Sequence, residues 1–352
     1  MRWAHAVLAV FGVLGVLGST PAGAVSLLVE GTASKQVTSL SVMGELELIK
    51  DRTFLTGCVG STRTEPLAIT TGADPETVSL PRSTQLCLGL DHGFNDHWRV
   101  SLMASASPRV TSQVQVLAQP SVVYRSQTGS AGGQLGVSYE SAGLLDDVQW
   151  GVDFGVAGTG YDLSHQWISA FRTVRYPAML ASLRPSAGVV LVLGDTELQL
   201  RGSYTAWSKD PLTAGVLTVE EVQGALKQVL PDATLLGKLL ALNLDFSSFL
   251  QFAGTRLMAM DAISGLATAP VRFELRPAVQ RRFTGWLRGQ VGYTYDLYVP
   301  GAGHAHVAST RWTVSIGDHF QTWVAAAAQW DVPADVPPTL YGILTLGVEV
   351  SF

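Results

Sequence analysis

The sequence has little charge and, after its first segment, no long hydrophobic run. Charged residues make up 14% of the chain, against roughly 25% in typical soluble domains. Hydrophobic residues reach 47%, yet no later stretch approaches the roughly 20 apolar residues that a membrane-spanning helix needs. These deficits argue against a typical soluble domain and against a helical membrane protein. A membrane β-barrel accounts for both deficits, because its apolar residues occupy every second position of each strand.

Cysteine is scarce as well, since only Cys58 and Cys87 occur. In an oxidising compartment they could form one disulfide between two early strands, and the alternative is two buried, inert thiols. The disulfide is favoured because an exposed free thiol is a liability outside the cytosol. The net charge of −5 gives no electrostatic indication of a nucleic-acid partner.

The first segment has the pattern of a secretory signal peptide. A basic start at Arg2 precedes an apolar core over residues 6–18, and Ala22-Gly23-Ala24 fits a small-residue cleavage site. The apolar core is too short to span a bilayer. We therefore predict a signal peptide over residues 1–24, Sec-type export with cleavage near Ala24, and a mature chain that begins at Val25.

The last strand shows the alternation of a barrel most clearly. Between Tyr341 and Phe352, apolar side chains occupy the even positions and mostly polar side chains the odd ones. Side chains of a strand alternate between its two faces, so the pattern places aliphatic groups on one face. The chain then ends at Phe352, as in the terminal signal that bacterial outer-membrane proteins present for barrel assembly.

Alternation recurs along the chain in segments of about the length that a tilted membrane strand requires. Clear examples are residues 196–208, 271–282 and 287–297, and similar segments lie near 38–50, 97–107, 112–124, 132–140, 147–157, 307–316 and 320–330. Short turns alternate with long Pro/Gly-rich loops, which matches barrel topology. We predict an all-β, antiparallel up-and-down transmembrane barrel of about 14–16 strands over 37–352, preceded by a short N-terminal segment over 25–36.

One segment breaks the β pattern. Thr218 and Glu221 have the spacing of a helix capping box, and apolar residues then recur at helical spacing until Pro231. We predict a helical insertion over about 211–238 in a long external loop, which either packs on the barrel rim or gates its mouth. Aromatic residues near strand ends are typical of interfacial girdles: Trp98, Trp150, Trp207, Trp286, Trp312, Trp330 and Tyr341.

The alternation also predicts which charged side chains face the lumen. These residues are Glu45, Glu47, Glu197, Arg201, Arg272, Glu274, Arg276, Arg288, Asp296, Arg311 and Glu349. A charge that faces lipid at the midplane costs roughly 2–4 kcal/mol for Arg or Lys, so an inward position is favoured. Two interpretations stay open: a polar conduit with sites for a passing solute, or internal salt bridges that stabilise a closed barrel.

No set of catalytic residues is recognisable, and we predict neither an enzyme nor a cofactor. Ser164 and His165 are adjacent, so in a strand their side chains lie on opposite faces and cannot easily act together. Asp146-Asp147 is typical of a solvated turn pair. His304 and His306 would share a face of a strand, but a nearby third ligand is missing, so we predict loop histidines and no metal site.

The second half resembles the FadL/TodX group of outer-membrane transporters for hydrophobic compounds. The resemblance lies in LQLRGSYTAWSKD over 198–210 and in residues 271–300, with RGQVGYTYDLYVP at their end. It covers about residues 184–352 and implies passage of hydrophobic molecules. The chain departs from the group in lacking an Asn-Pro-Ala plug motif after Val25 and in being shorter, which argues against a plug-dependent route.

The sequence thus favours an outer-membrane pore or transporter of a Gram-negative envelope that moves small hydrophobic or amphipathic solutes. The alternative is a closed barrel that binds partners in a secretion or surface complex, and a third hypothesis is an outer-membrane hydrolase. The expected partners are outer-membrane lipid, lipopolysaccharide, the barrel-assembly machinery and a hydrophobic small-molecule ligand.

Overall fold

The computed structural model describes most of the chain. The described residues are 25–34, 37–64, 67–71, 74–78, 82–117, 121–141, 148–211, 219–230, 270–317, 319–334 and 337–352. The predicted signal peptide, the predicted cap at Thr218 and the Asp146-Asp147 pair lie outside them. No helix among the described residues is long and apolar enough to cross a membrane.

Strands make up nearly all of the described structure. In chain order they are β1 (Val25–Ser34), β2 (Val37–Ile49), β3 (Thr53–Thr64), β4 (Leu67–Thr71), β5 (Asp74–Val78), β6 (Ser83–Gly93), β7 (Trp98–Leu117), β8 (Val122–Glu140), β9 (Val148–Ser169), β10 (Thr173–Leu193), β11 (Thr196–Tyr204), β12 (Ala206–Trp207), β13 (Val271–Arg282), β14 (Leu287–Tyr298), β15 (His304–Ile316), β16 (Phe320–Val332) and β17 (Thr339–Ser351). The described helix, α1, spans Val219–Val229.

These strands form a closed antiparallel ring of 14 strands, which confirms the predicted fold class. Each strand of the ring pairs with the ring strands that precede and follow it in the chain, and β17 pairs with β1 to close the ring. The short β12 continues the edge of β11 against β10, and β4 and β5 pair with each other in a separate two-stranded sheet. Closure of the ring joins by hydrogen bonds the two strands that would otherwise be free edges. A membrane barrel needs this closure, because lipid offers no water to hydrogen-bond the backbone N–H and C=O groups of a free edge.

The two ends of the barrel differ. At one end, here called the turn end, β1 begins and β17 finishes, and tight connections such as Gly194-Asp195 join the strands. Gly194 and Gly317 have φ values of 56° and 63° in these turns, a conformation that glycine adopts without a steric cost. At the opposite end, the loop end, the connections include the long one between β12 and β13 that carries α1.

The outer face of the ring is apolar. In β17, Leu344 and Leu346 point outward and are 48% and 56% exposed, whereas Thr345 and Gly347 alternate with them on the inner face. Other exposed outward side chains on neighbouring strands include Leu88, Leu102, Phe154, Leu183, Val189, Leu200, Val291 and Val324. Such a surface is unfavourable in water and matches a hydrocarbon environment.

The aromatic prediction holds for most of the named residues. Trp98, Trp286 and Trp312 are exposed near the turn end, and Trp330 is exposed near the loop end. Two residues differ from the prediction. Trp207 packs on the cluster of Tyr161, Leu163 and Leu180 at the loop end, and Tyr341 takes an odd, inward position of β17.

The sequence-based boundaries need two corrections. Residues 25–36 were placed before the barrel, but Val25–Ser34 is β1, a full member of the ring between β17 and β2. Residues 112–124 were taken as one strand, but they cross the connection between β7 and β8. Alternation alone does not reveal where a chain turns back, because two paired strand ends carry the same pattern as one longer strand.

Candidate functional site: the barrel lumen

A network of charged side chains lies on the inner wall formed by β10, β11 and β13. Arg184 donates to Oε1 of Glu274 at 2.7 Å and Arg276 donates to Oε2 at 2.5 Å. The Arg184 Nε also donates to the Ser203 hydroxyl at 2.9 Å. Glu274 is only 7% exposed, so its two arginine partners offset the cost of removing the carboxylate from water.

These residues line a cavity of about 390 Å³, here called the basic cavity. Its wall also contains Arg201 and Asp153, which form an ion pair at 3.2 Å. The charged lining consists of three guanidinium groups and two carboxylates, with serine and glutamine side chains between them: Arg184, Arg201, Arg276, Asp153, Glu274, Ser101, Gln134, Ser138, Ser186 and Ser203. The basic cavity is therefore polar and carries a positive excess.

A second cavity of about 370 Å³, here called the acidic cavity, lies against β2, β3, β6 and β7. Its charged lining consists of Glu45, Asp91 and Arg99. Arg99 forms an ion pair with Asp91 at 3.2 Å, and its guanidinium lies 5.7 Å from the ring centroid of Phe54. The remaining wall is largely apolar and includes Met43 and Met103.

The two cavities adjoin each other, because Ser101 and Gln134 line both. Their walls together extend from β2 to β13 around the inside of the ring. The lumen of this barrel is therefore not filled by side chains at this level. It offers a solute a polar surface on one side and an apolar surface on the other.

Cys58 and Cys87 form a disulfide. They are direct partners in the register between β3 and β6, and Cys87 lines the acidic cavity. Both positions alternate with outward-facing leucine and valine, so the disulfide belongs to the inner wall.

The inner wall at the loop end is apolar and is covered by α1. Strands β7 to β10 have 19 to 22 residues, about twice the length that a tilted membrane strand requires, and they extend beyond the ring there. Helix α1 contacts β9 and β10. Its buried residues are Ala225, Leu226, Val229 and, just beyond it, Leu230, and the hydroxyl of Tyr176 donates to the carbonyl of Glu221 at 3.2 Å.

Comparison with known proteins gave structural neighbours alone. No protein-family model matches the chain, and no curated protein matches its sequence.

Three solved structures have the following similarity to the chain. The Ralstonia pickettii toluene transporter TbuX has 9% identity and a TM-score of 0.49, with 95% of this chain and 91% of that chain covered. The CymD monoaromatic hydrocarbon channel has 10% identity and a TM-score of 0.48, with 96% and 90% covered. A Pseudomonas aeruginosa FadL homologue has 10% identity and a TM-score of 0.47, with 94% and 90% covered. A FadL homologue, from the group that the sequence resembles, is thus among the neighbours.

The alternation of the strands places the predicted lumen residues on the inner wall, with Arg272 as the exception. The inward positions are Glu45, Glu47, Glu197, Arg201, Glu274, Arg276, Arg288, Asp296, Arg311 and Glu349. The pairing of β13 with β14 shifts register between Val271 and Phe273. Arg272 lies at this irregularity, and its guanidinium contacts the ring and hydroxyl of Tyr204, a residue of the outward face.

Several of the inward residues have structural partners rather than a place in a cavity. Glu47 accepts a hydrogen bond from the backbone N–H of Asp51 in the turn after β2. Glu197 accepts from the side-chain amides of Gln199 and Gln280 at 2.6 and 3.3 Å. Arg311 lies 4.4 Å from the ring centroid of Trp323.

Further charged residues on the inner wall were missing from the sequence prediction, among them Glu30, Asp91, Arg99, Asp153 and Arg184. Glu30 was missed because β1 was placed outside the barrel. For Arg99, Asp153 and Arg184 the sequence carried a signal, because outward apolar residues flank each of them, as Val152 and Phe154 flank Asp153.

The residues considered for catalysis or metal binding do not form a site. Ser164 accepts a hydrogen bond from Arg175 at 2.9 Å, whereas His165 contacts the Tyr124 hydroxyl at 2.6 Å, so the neighbouring side chains have separate partners. His304 and His306 lie in β15 rather than in a loop. His306 contacts the Tyr293 hydroxyl at 2.6 Å, and the described residues contain no group of three potential metal ligands.

Proposed function

We propose that the chain is an outer-membrane pore or transporter that passes small hydrophobic or amphipathic solutes through its lumen. The observation that carries the proposal is the pair of adjoining cavities inside a closed ring whose outer face is apolar. A barrel that served only as a scaffold would gain stability from filling this space with packed side chains.

The lining of the lumen supports an amphipathic solute. The basic cavity offers guanidinium and hydroxyl donors, and the acidic cavity offers Met43, Met103 and Phe54. Ligand sites commonly combine an apolar wall with a few polar groups that fix orientation. The mechanism is binding and passage, and no covalent step is part of it.

The loop end supports entry from outside the cell. In the orientation usual for such barrels, short turns face the periplasm and long loops face outward. Helix α1 then covers the extracellular mouth on the side of β9 and β10. A solute that enters there passes α1 before it reaches the two cavities.

The same proposal specifies what the outside of the barrel contacts. Its apolar belt contacts the lipid of the outer membrane and lipopolysaccharide, after export and removal of the first 24 residues. Phe352 follows β17 and is 73% exposed, so it is accessible as a signal to the barrel-assembly machinery.

Conductance across planar bilayers tests the proposal. We expect the purified protein to produce stepwise currents, because a lumen that passes solutes also passes ions and water. Gln134 lines both cavities, so Gln134→Trp should lower the size of the current step. Leu135→Trp is the matched control, since Leu135 is outward and 44% exposed, and it should leave the step unchanged. A protein that inserts but carries no current would overturn the proposal and favour the closed, partner-binding barrel.

A further inference from the structure

We propose that the acidic cavity is a binding site for small organic cations, namely protonated amines that carry an aromatic or aliphatic body. The inference rests on the proposed function and specifies the class of solute that the lumen holds. It is carried by the charge balance of the cavity, by the open carboxylate groups and by the apolar wall beside them.

The first observation is the charge balance of the lining. Two carboxylates, Glu45 and Asp91, face one guanidinium, that of Arg99. Arg99 forms its ion pair with Asp91. Among the residues that the structure describes, Glu45 forms neither an ion pair nor a side-chain hydrogen bond. A cationic ligand would supply the missing partner, and charge-assisted hydrogen bonds are stronger than neutral ones.

The second observation concerns the acceptor geometry of Asp91. Its Oδ1 is buried and lies 3.2 Å from the Arg99 Nε, yet the alignment required for a hydrogen bond is not met. Buried polar atoms are normally hydrogen-bonded, because leaving one unsatisfied costs free energy. The Asp91 side chain as a whole is 29% exposed, so an ammonium group in the cavity, which has three N–H donors, could contact the accessible part of this carboxylate and the Glu45 carboxylate.

The third observation is the apolar wall. Met43, Met103 and Phe54 stand beside the carboxylates, and the face of the Phe54 ring already accepts the Arg99 guanidinium at 5.7 Å. Aromatic faces attract cations through the ring quadrupole, and methionine side chains adapt their shape to aromatic ligands. A small amine therefore finds contacts for its charge and for its apolar body in one cavity of about 370 Å³.

The charges on the neighbouring walls favour the acidic cavity over the basic cavity as the site of a cation. Glu349 extends the negative wall, because its partner Leu28 is in turn the partner of Met43 in the register of β17, β1 and β2. On the other side, the basic cavity has an excess of guanidinium groups and repels a cation. An organic cation in the lumen is therefore held on the side of β2 and β6.

The test compares three probes of nearly equal size in detergent micelles by calorimetry, with protein-free micelles as the blank. The probes are 2-phenylethylammonium, neutral 2-phenylethanol and anionic phenylacetate. We expect the ammonium to bind at least about tenfold more tightly than the alcohol, as one charge-assisted hydrogen bond implies, and the acetate to bind most weakly. Equal affinities for the ammonium and the alcohol would overturn the inference.

Matched variants locate the site. Glu45→Gln should remove the preference for the ammonium over the alcohol. Glu197→Gln, an inward carboxylate that lines neither cavity, should retain it. Retained affinity for 2-phenylethanol shows that the Glu45→Gln variant is folded with its cavity intact, and heat-modifiable migration in gels provides a second check. Equal loss in both variants, or in neither, would contradict the assignment.

This inference and the proposed function fail in different ways. A protein that conducts ions but shows no preference among the three probes retains the proposed function and overturns the cation site. A protein that prefers the ammonium but carries no current in bilayers would support the cation site and contradict the proposed passage of solutes.

Discussion

At the scale of single residues, the inner wall is held together by carboxylates that each serve more than one partner. Glu274 is the clearest case, because its two oxygens bind Arg184 and Arg276 and it is almost fully buried. Replacement by an amide removes the negative charge that these two guanidinium groups share. The two arginine side chains are 31% and 40% exposed, so water partly compensates for the loss of their carboxylate partner.

We therefore expect Glu274→Gln to lower the free energy of unfolding by about 2 kcal/mol, less than for a fully buried ion pair. Urea unfolding in lipid vesicles measures this change. Glu197→Gln is the control, because Glu197 binds two uncharged amides and its replacement should have a smaller effect. Equal losses in the two variants would show that the Glu274 network does not contribute as described.

A second residue-scale prediction concerns the close approach of β17 to an indole. A Cβ added at Gly347 would overlap the ring of Trp323, whereas a Cβ at Gly342 in the same strand meets nothing within 4 Å. Trp323 is 5% exposed and carries Arg311 on its ring, so it has little room to move. Gly347→Ala should cost about 1–3 kcal/mol of unfolding free energy, as overpacking does.

Gly342→Ala serves as the matched control and should be close to neutral. Unfolding midpoints measured by tryptophan fluorescence compare the two variants, and a neutral Gly347→Ala would mean that Trp323 does not occupy this position.

At the scale of elements, α1 is attached to the wall at the loop end by a buried apolar stripe and by a hydrogen bond from a side chain of β10. The donor is the Tyr176 hydroxyl. Tyr176→Phe removes that bond, worth about 1 kcal/mol, without changing the apolar contacts. If α1 restricts entry, the variant should show more frequent or longer open periods in single-channel records.

Tyr293→Phe is the control, since Tyr293 contacts His306 on the outer face and is remote from α1. Unchanged gating in Tyr176→Phe would indicate that α1 packs on the wall without controlling entry.

The strands differ in how well the sequence predicted them. The late strands were predictable, because β17 alternates nearly strictly between aliphatic and polar residues. Strand β1 was missed because Leu28 occupies an inward position among polar residues, which blurs its alternation. The extension of β7 to β10 was also missed, since their inner faces become apolar at the loop end, where Tyr124, Leu163 and Trp167 are buried.

The lumen site was only partly predictable. Alternation indicates which side chains point inward, and it predicted inward positions for Glu45, Arg201, Glu274 and Arg276. It cannot give the partners of those side chains across the ring, because the pairing of Arg184 with Glu274 joins residues 90 positions apart. The Arg272 error has a local cause, since a register shift of one residue moves a side chain off its expected face.

At the scale of the whole molecule, the account depends on one arrangement: lipid outside the ring and water-accessible cavities inside it. Single cysteines along β17 test this arrangement most directly, because the chain has no free cysteine to react in the background. In lipid vesicles, a membrane-impermeant maleimide should modify Thr345→Cys and Ile343→Cys, which face the lumen, and should spare Leu344→Cys and Leu346→Cys, which face lipid. Modification of all four positions, or of the even positions alone, would contradict the account.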